Sequence, residues 1–321
     1  TAYRNKDYPA AAGFFRDAAA VGEIRAMKNL GIMHSKGLGV PQSQSEALLW
    51  FKQAAEAGSP EAMNSLGVRY QKGRGTKRDY AQAAAWFRRA AEAGNVSAMN
   101  NVALLVMRGH GVSQNHAEAR AWFEKAAADG NANAMNGLGI LYAQGLGVAV
   151  DEPTAVDWYR KGADAGDRNA MNSMGVMLER GRGVKKDLAK ALAWYRKAAD
   201  AGDPSGQFNL GTLYLKGTPT IAADSRVAVQ WFHRAAEAGN SDAMLSLGNL
   251  SLRGEGVPKS APKAQAFFER AAAAGNGAAM LNLGISCEER REFPQAAKWY
   301  RRALKAGLPE AQAAYDRVVV K

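Results

Sequence analysis

Asp167 to Gly202, DRNAMNSMGVMLERGRGVKKDLAKALAWYRKAADAG, decides the fold. It reads as two short amphipathic helices joined by a glycine loop. Position by position it lines up with the stretches beginning at Ser59, Asn95 and Asn131, each 36 residues from the next. A fixed period of this size is the mark of stacked units, none of which can bury its apolar face alone.

Each column of the repeat has a physical reason. The first helix opens at Ser59, Asn95, Asn131, Asp167, Asp203, Asn240 or Asn276, residues whose side-chain oxygen accepts a first-turn N–H. Ala-Met follows at Ala62-Met63, Ala98-Met99, Ala134-Met135 and Ala170-Met171, then Leu-Gly at Leu66-Gly67, Leu138-Gly139 and Leu210-Gly211. This spacing puts Met, Leu and the later Tyr70, Tyr142 or Tyr214 on one helical face. Glycine inside a helix costs up to about 1 kcal/mol, so its recurrence predicts that a neighbouring helix comes close there. Gly-x-Gly-Val then ends the helix, at Gly37–Val40, Gly109–Val112, Gly145–Val148, Gly181–Val184 and Gly254–Val257. The first glycine suits a left-handed helix end and the second permits the turn.

The second helix starts at Ser43, Asp79, Asn115, Asp151, Asp187, Asp224 or Ser260. Its aromatic pair, expected to be buried, runs Trp50-Phe51, Trp86-Phe87, Trp122-Phe123, Trp158-Tyr159, Trp194-Tyr195, Trp231-Phe232 and Trp299-Tyr300, with Phe267-Phe268 in one repeat. Every tryptophan belongs to this column. One buried aromatic contributes roughly 4–6 kcal/mol of gross driving force, from about 150–250 Å² at about 25 cal/mol/Å².

Along the chain, residues 1–22 form a half repeat, with Asp7 in the second-helix cap column and Phe14-Phe15 in the aromatic column. Eight helix pairs fill 23–307, and 308–321 reads as a closing helix with an apolar tail, Val318-Val319-Val320. The loop breaks twice: at Pro219, where a residue is added, and between Cys287 and Glu292, where the glycines are missing. No linker interrupts the array, so 1–321 is read as one solenoid domain.

Met-x-x-Leu-Gly-x-x-Tyr, Gly-x-Gly-Val, the aromatic pair, Ala-Ala and Gly, in that order, resemble the Sel1-like repeat of bacterial proteins, a relative of the tetratricopeptide repeat. The resemblance covers nearly the whole chain. It implies an all-α solenoid, a right-handed superhelix whose first helices line a concave groove, serving as a protein-interaction scaffold. It also implies that the column after the Met points into that groove: Asn64, Asn100, Asn136 and Asn172, preceded by Lys28 and followed by Phe208, Leu245 and Leu281.

An asparagine row offers a donor and an acceptor together, as the backbone of an extended segment requires, and asparagine is a poor mid-helix residue otherwise. A cationic column, Lys36, Lys72, Arg108 and Arg180, closes the first helices; it serves either the partner or the helix dipole. Beside them runs an apolar column, Ile32, Val68, Leu104, Ile140 and Val176. A second basic column on the second helices, including Arg88-Arg89, Lys125, Arg160-Lys161 and Arg301-Arg302, is read as a solvated face.

Catalysis finds no support. His34, His110, His116 and His233 fall in different columns without metal-ligand spacing, and no serine elbow or phosphate-loop lysine motif is present. Cys287 sits in the tyrosine column as a small core filler. Neither metal nor cofactor is expected. There is no run of about 18 apolar residues, hence no membrane span. The net charge of +12 favours an acidic partner.

The reading is a non-enzymatic scaffold or inhibitor that holds another protein, through an acidic surface or extended segment, in the groove. By resemblance, bacterial members act as signalling adaptors, envelope scaffolds and immunity proteins that neutralise secreted toxins. The start at Thr1 rather than Met points to an exported, periplasmic chain, with the cytoplasm as the alternative. The competing function is binding of an anionic polymer, polysaccharide or nucleic acid, by the basic surface. Nucleic acid is disfavoured because the aromatics are assigned to the core.

Overall fold

Helix caps and glycine stops dictate the architecture. The computed structural model describes residues 2–218 and 222–319. The expectations placed on Pro219 and Val320 lie outside the described residues. Two compact units divide the chain after Ala165. The first unit contains α1 (Tyr8–Ala20), α2 (Ile24–Lys36), α3 (Gln44–Glu56), α4 (Pro60–Lys72), α5 (Tyr80–Glu92), α6 (Val96–Arg108), α7 (His116–Ala128), α8 (Ala132–Gln144) and α9 (Glu152–Asp164). The second contains α10 (Arg168–Arg180), α11 (Leu188–Asp200), α12 (Pro204–Lys216), α13 (Ser225–Glu237), α14 (Ser241–Arg253), α15 (Ala261–Ala273), α16 (Gly277–Glu289), α17 (Phe293–Lys305) and α18 (Ala311–Val319). Among the described residues there is no β-strand. The fold is an all-α solenoid of consecutive helix pairs.

Both cap columns act as the sequence requires. Asn95 Oδ1 accepts from the Ala98 N–H at 2.9 Å and Asp79 Oδ1 from the Gln82 N–H at 2.9 Å. At the other end of the first helix, Gly73 adopts a left-handed backbone and its N–H bonds back to the Arg69 and Tyr70 carbonyls. After α16, where glycine is missing, Arg291 takes the positive φ instead.

The mid-helix glycine does what its cost implied. A Cβ on Gly67 would lie 2.6 Å from the Phe87 ring, and one on Gly211 would lie 2.8 Å from the Phe232 ring. The ring of the second helix therefore rests on bare backbone of the first, and this contact sets the distance between the paired helices.

The aromatic pair departs from expectation. Only its second member is buried, as in Phe87, Phe123, Tyr195 and Tyr300, while all seven tryptophans are half-buried. Phe14 in the opening half repeat is 67% exposed. Adjacent residues lie about 100° apart on a helix, so only one can point squarely at the partner helix. Cys287 is buried, as its column predicts, and burial pushes its thiol pKa up, away from the thiolate a nucleophile needs.

Two glycines separate close packing from propensity. Gly67→Ala places a methyl against Phe87 and should destabilise the chain by about 1–3 kcal/mol despite alanine's better helix propensity. Gly13→Ala, in α1 with nothing within contact of its Cβ, should stabilise by about 0.5–1 kcal/mol. Chemical denaturation of both variants checks the pair.

The cap carboxylates of Asp167 and Asp203 are buried, and burial raises both pKa values against the lowering effect of their backbone N–H bonds. A raised folded-state pKa means the folded form holds the proton more tightly. Stability from these groups is therefore fully present at acid pH and lost as pH rises through the raised values. Asparagine, which caps α6, α8, α14 and α16, keeps the acceptor without the charge. Asp167→Asn with Asp203→Asn should raise the melting midpoint by a few degrees at neutral pH. The gain should shrink as pH falls through the carboxylate range, read by calorimetry across pH.

Candidate functional site

Neighbouring first helices approach one another directly, and asparagines bridge them. Asn101 of α6 donates from Nδ2 to Oδ1 of Asn64 on α4 at 3.0 Å. In the second unit Asn209 of α12 donates to Asn172 of α10 at 2.8 Å, and Asn282 of α16 to Asn249 of α14 at 3.2 Å. Each bond thus joins adjacent repeats and, in the first two, adjacent columns. Asn101 and Asn209 were not singled out from sequence, although each stands one residue beyond the asparagine column.

The four asparagines are not equivalent. Asn64, Asn136 and Asn172 are half-buried, whereas Asn100 is only 6% exposed. Asn64 and Asn172 commit their oxygens to the bridges above. Asn100 and Asn136 each bury an Oδ1 with no hydrogen-bond partner among the described residues. Such an acceptor costs about 1–3 kcal/mol, a cost relieved if a donor reaches it. Ile32, Val68, Leu104, Ile140 and Val176 are half-buried, so this face carries apolar surface beside the amides.

Lys36, Lys72, Arg108 and Arg180 are all exposed in the last turns of their helices. None makes an ion pair among the described residues. Each precedes the left-handed glycine, where a cation complements the helix dipole. Lys28 borders a hollow of about 620 Å³ with Arg25, Ser59 and Glu61. The Glu61 carboxyl is held below its ordinary pKa by a backbone N–H and the Ser59 hydroxyl, with smaller contributions from Lys28 and Arg25.

Sequence reasoning missed Arg69. It stands in the column that Met33, Leu105, Leu141, Met177 and Leu213 fill with core side chains. It is 5% exposed, its guanidinium lies 4.8 Å from the centroid of the Phe51 ring, and Nη1 donates to Gln44 Oε1 at 3.1 Å. No carboxylate pairs with it among the described residues. Burial, and then the charge of Arg74, lower its pKa, yet a guanidinium stays protonated at any ordinary pH. Asn64, Ser65, Val68, Arg74, Phe51 and Arg69 line one hollow of about 200 Å³. The signal available beforehand was a cation in an otherwise apolar column.

The second basic column is the exposed face expected of it, and its cations also cover apolar rings. Arg89, Lys125, Lys161, Lys197, Arg234 and Arg302 lie 4.2–4.7 Å from the ring centroids of Trp86, Trp122, Trp158, Trp194, Trp231 and Trp299. All six are exposed. Each follows its tryptophan by three residues, on the same helix face. A cation over an indole at such a site contributes about 0.5–1 kcal/mol.

Among the described residues no group of three His, Cys, Asp or Glu side chains is arranged to hold a metal ion. No helix among them is long and apolar enough to cross a membrane.

The Sel1 repeat family model matches eight times in succession, at 24–59, 60–95, 96–131, 132–167, 168–203, 204–240, 241–276 and 277–308. A protective antigen present in uropathogenic Escherichia coli strains, with an SLR fold, is 34% identical at a TM-score of 0.63, over 96% of this chain and 67% of that one. A Sel1 repeat protein from Oxalobacter formigenes is 35% identical at a TM-score of 0.69, over 74% of this chain and 97% of that one. Yeast Tom70, at 12% identity and a TM-score of 0.54 over 93% of this chain and 64% of that one, shares the fold alone. Comparison with curated proteins gives no match.

Arg69 gives this site a direct test. Arg69→Leu, restoring the residue of neighbouring repeats, removes a buried charge without a counter-ion. It should raise stability by on the order of 1 kcal/mol in denaturant titration.

Proposed function

The chain belongs to the Sel1 repeat family, and on that premise we propose that it is a non-enzymatic binding protein whose first-helix face holds an extended, acidic segment of another protein. The observation that carries this reading is the row of amides at Asn64, Asn100 and Asn136, flanked by half-buried aliphatic side chains. In that row the covered oxygens of Asn100 and Asn136 have no partner among the described residues and gain one if the side chains turn outward to a bound segment. An extended backbone supplies N–H donors at regular intervals, and alternate side chains would meet the apolar column. Arg69 and Arg74 in their hollow beside Asn64, and the exposed cations ending the first helices, add positive charge. Electrostatic complementarity of this kind speeds encounter and selects acidic partners. An inhibitor that neutralises a toxin and an adaptor in the envelope would use the same face.

A second reading is favoured by the half-buried tryptophans: an anionic polymer could lie along the cation–indole pairs of the second helices. It predicts affinity for unrelated polyanions that collapses steeply with salt. Competition for the cations would also alter tryptophan emission.

An array of extended peptides graded in acidic content distinguishes the two. Acidic peptides should bind with a shallow salt dependence. Asn64→Ala, Asn100→Ala and Asn136→Ala combined should weaken them by about tenfold or more, the worth of one or two lost hydrogen bonds, with circular dichroism unchanged. Unaltered affinity in that triple variant, or hits without acidic enrichment, would overturn the first reading.

A further inference from the structure

The pattern breaks at three adjoining columns where the sixth repeat meets the seventh, and the result is a cavity. At the preceding junction Tyr214 of α12 reaches back to Arg196 of α11, whose guanidinium donates to the tyrosine Oη. Arg301 and Tyr315 form a similar bond at 2.6 Å nearer the C-terminus. One repeat after Tyr214, its column holds Ser251 on α14, and the arginine column holds His233 on α13. The tryptophan column of α15 holds Phe267. Each change removes side-chain volume at the same place.

What remains is a cavity of about 360 Å³, within the ~300–1,000 Å³ range of small-molecule sites. Its floor is closed: Leu247 is 1% and the polar Ser251 3% exposed. Phe267 offers a ring as one wall, with His233 edge-on to it at 5.7 Å between centroids. Lys263 and Arg270 stand exposed on the rim, with the Arg270 guanidinium 5.8 Å from the Phe267 centroid. Neither makes an ion pair among the described residues, and no acidic side chain lines the cavity.

We propose that this cavity binds a small aromatic carboxylate. The space is the one a tyrosine ring fills in other repeats, so an aryl group suits it in thickness and can stack against Phe267. The ligand's anionic group would then meet Arg270 and Lys263 at the rim, where charge-assisted bonds hold it, while the imidazole N–H of His233 and the Ser251 hydroxyl offer donors nearer the ring. This site lies on α13, α14 and α15 away from the asparagine row, and it stands independently of the groove reading.

Isothermal titration calorimetry on the full chain tests it with 3-phenylpropionate, indole-3-acetate and 2-naphthoate. The controls are their primary amides, an aliphatic acid of matched length, and a peptide ending in phenylalanine. At least one aryl acid should bind saturably below millimolar concentration, with its amide and the aliphatic acid weaker by about tenfold or more. Ser251→Tyr, which refills the space, should abolish binding. Ser251→Val, which matches Val106 in the same column, serves the same purpose with a smaller side chain, and melting curves confirm that each variant folds. Arg270→Gln with Lys263→Gln should weaken the acid but not the amide. The combined Asn64, Asn100 and Asn136 alanine variant should bind the acid normally. The proposal is overturned by the absence of saturable binding of any aryl acid, by equal affinity for acid and amide, by Ser251→Val binding like the parent chain, or by binding of the peptide alone.

Discussion

An aromatic ring resting on a glycine backbone is the contact from which the rest of each repeat is built. Phe87 on Gly67, Phe232 on Gly211 and Phe268 on Gly248 are the same arrangement in different repeats. The ring supplies the buried area, and the missing Cβ lets the two helices close to the distance at which Leu66 or Leu247 is fully covered. Neither half is useful alone. Glycine without the ring leaves a gap in the core, and the ring without glycine cannot seat. Because the contact is local to each pair, the array tolerates changes between pairs that a globular core would not.

Most of that was legible in the sequence because each column repeats. A single Leu-Gly or Gly-x-Gly would mean little, but repetition at one spacing leaves only the shared structural cause. The caps, the left-handed glycines and the buried role of Cys287 followed directly. What did not follow was orientation within a pair. Trp86 and Phe87 are both large and apolar, and hydrophobicity cannot say which one faces the neighbouring helix. The basic residue three positions beyond each tryptophan carried that information, since a cation recurring at that spacing needs a face to lie on. Arg69 escaped for the opposite reason: reading columns for what they share hides the one member that differs.

Beyond the cations in ion pairs, such as Arg88 with Glu118 and Arg317 with Glu288, positive charge stands in three further environments that do different things. The cations over the tryptophans lie against the second-helix surface, where their stems and heads cover indole rings. Those at Lys36, Lys72, Arg108 and Arg180 complete helix ends and remain open to solvent. Arg69 is buried with neutral partners, the Phe51 ring and the side-chain and backbone oxygens of Gln44. Net charge alone therefore overstates how much of the surface attracts an anion. The part left without an anionic partner among the described residues includes the first-helix ends and Arg69.

A repeat array that is uniform in its core can become specific only where one copy departs from the others. Truncation of a column is tolerated when the ring-on-glycine contact of the same repeat is untouched. Gly248 still receives the Phe268 ring in the repeat where Ser251 and Phe267 fall short of their columns, next to His233 of the repeat before. The shortfall then appears as shaped space lined by whatever the neighbouring columns already provide, here a ring and two cations. The opposite departure, a charged residue placed in an apolar column, yields the Arg69 hollow. In both, the chemistry comes from a mismatch between one copy and its neighbours, held rigid by the copies on either side that match.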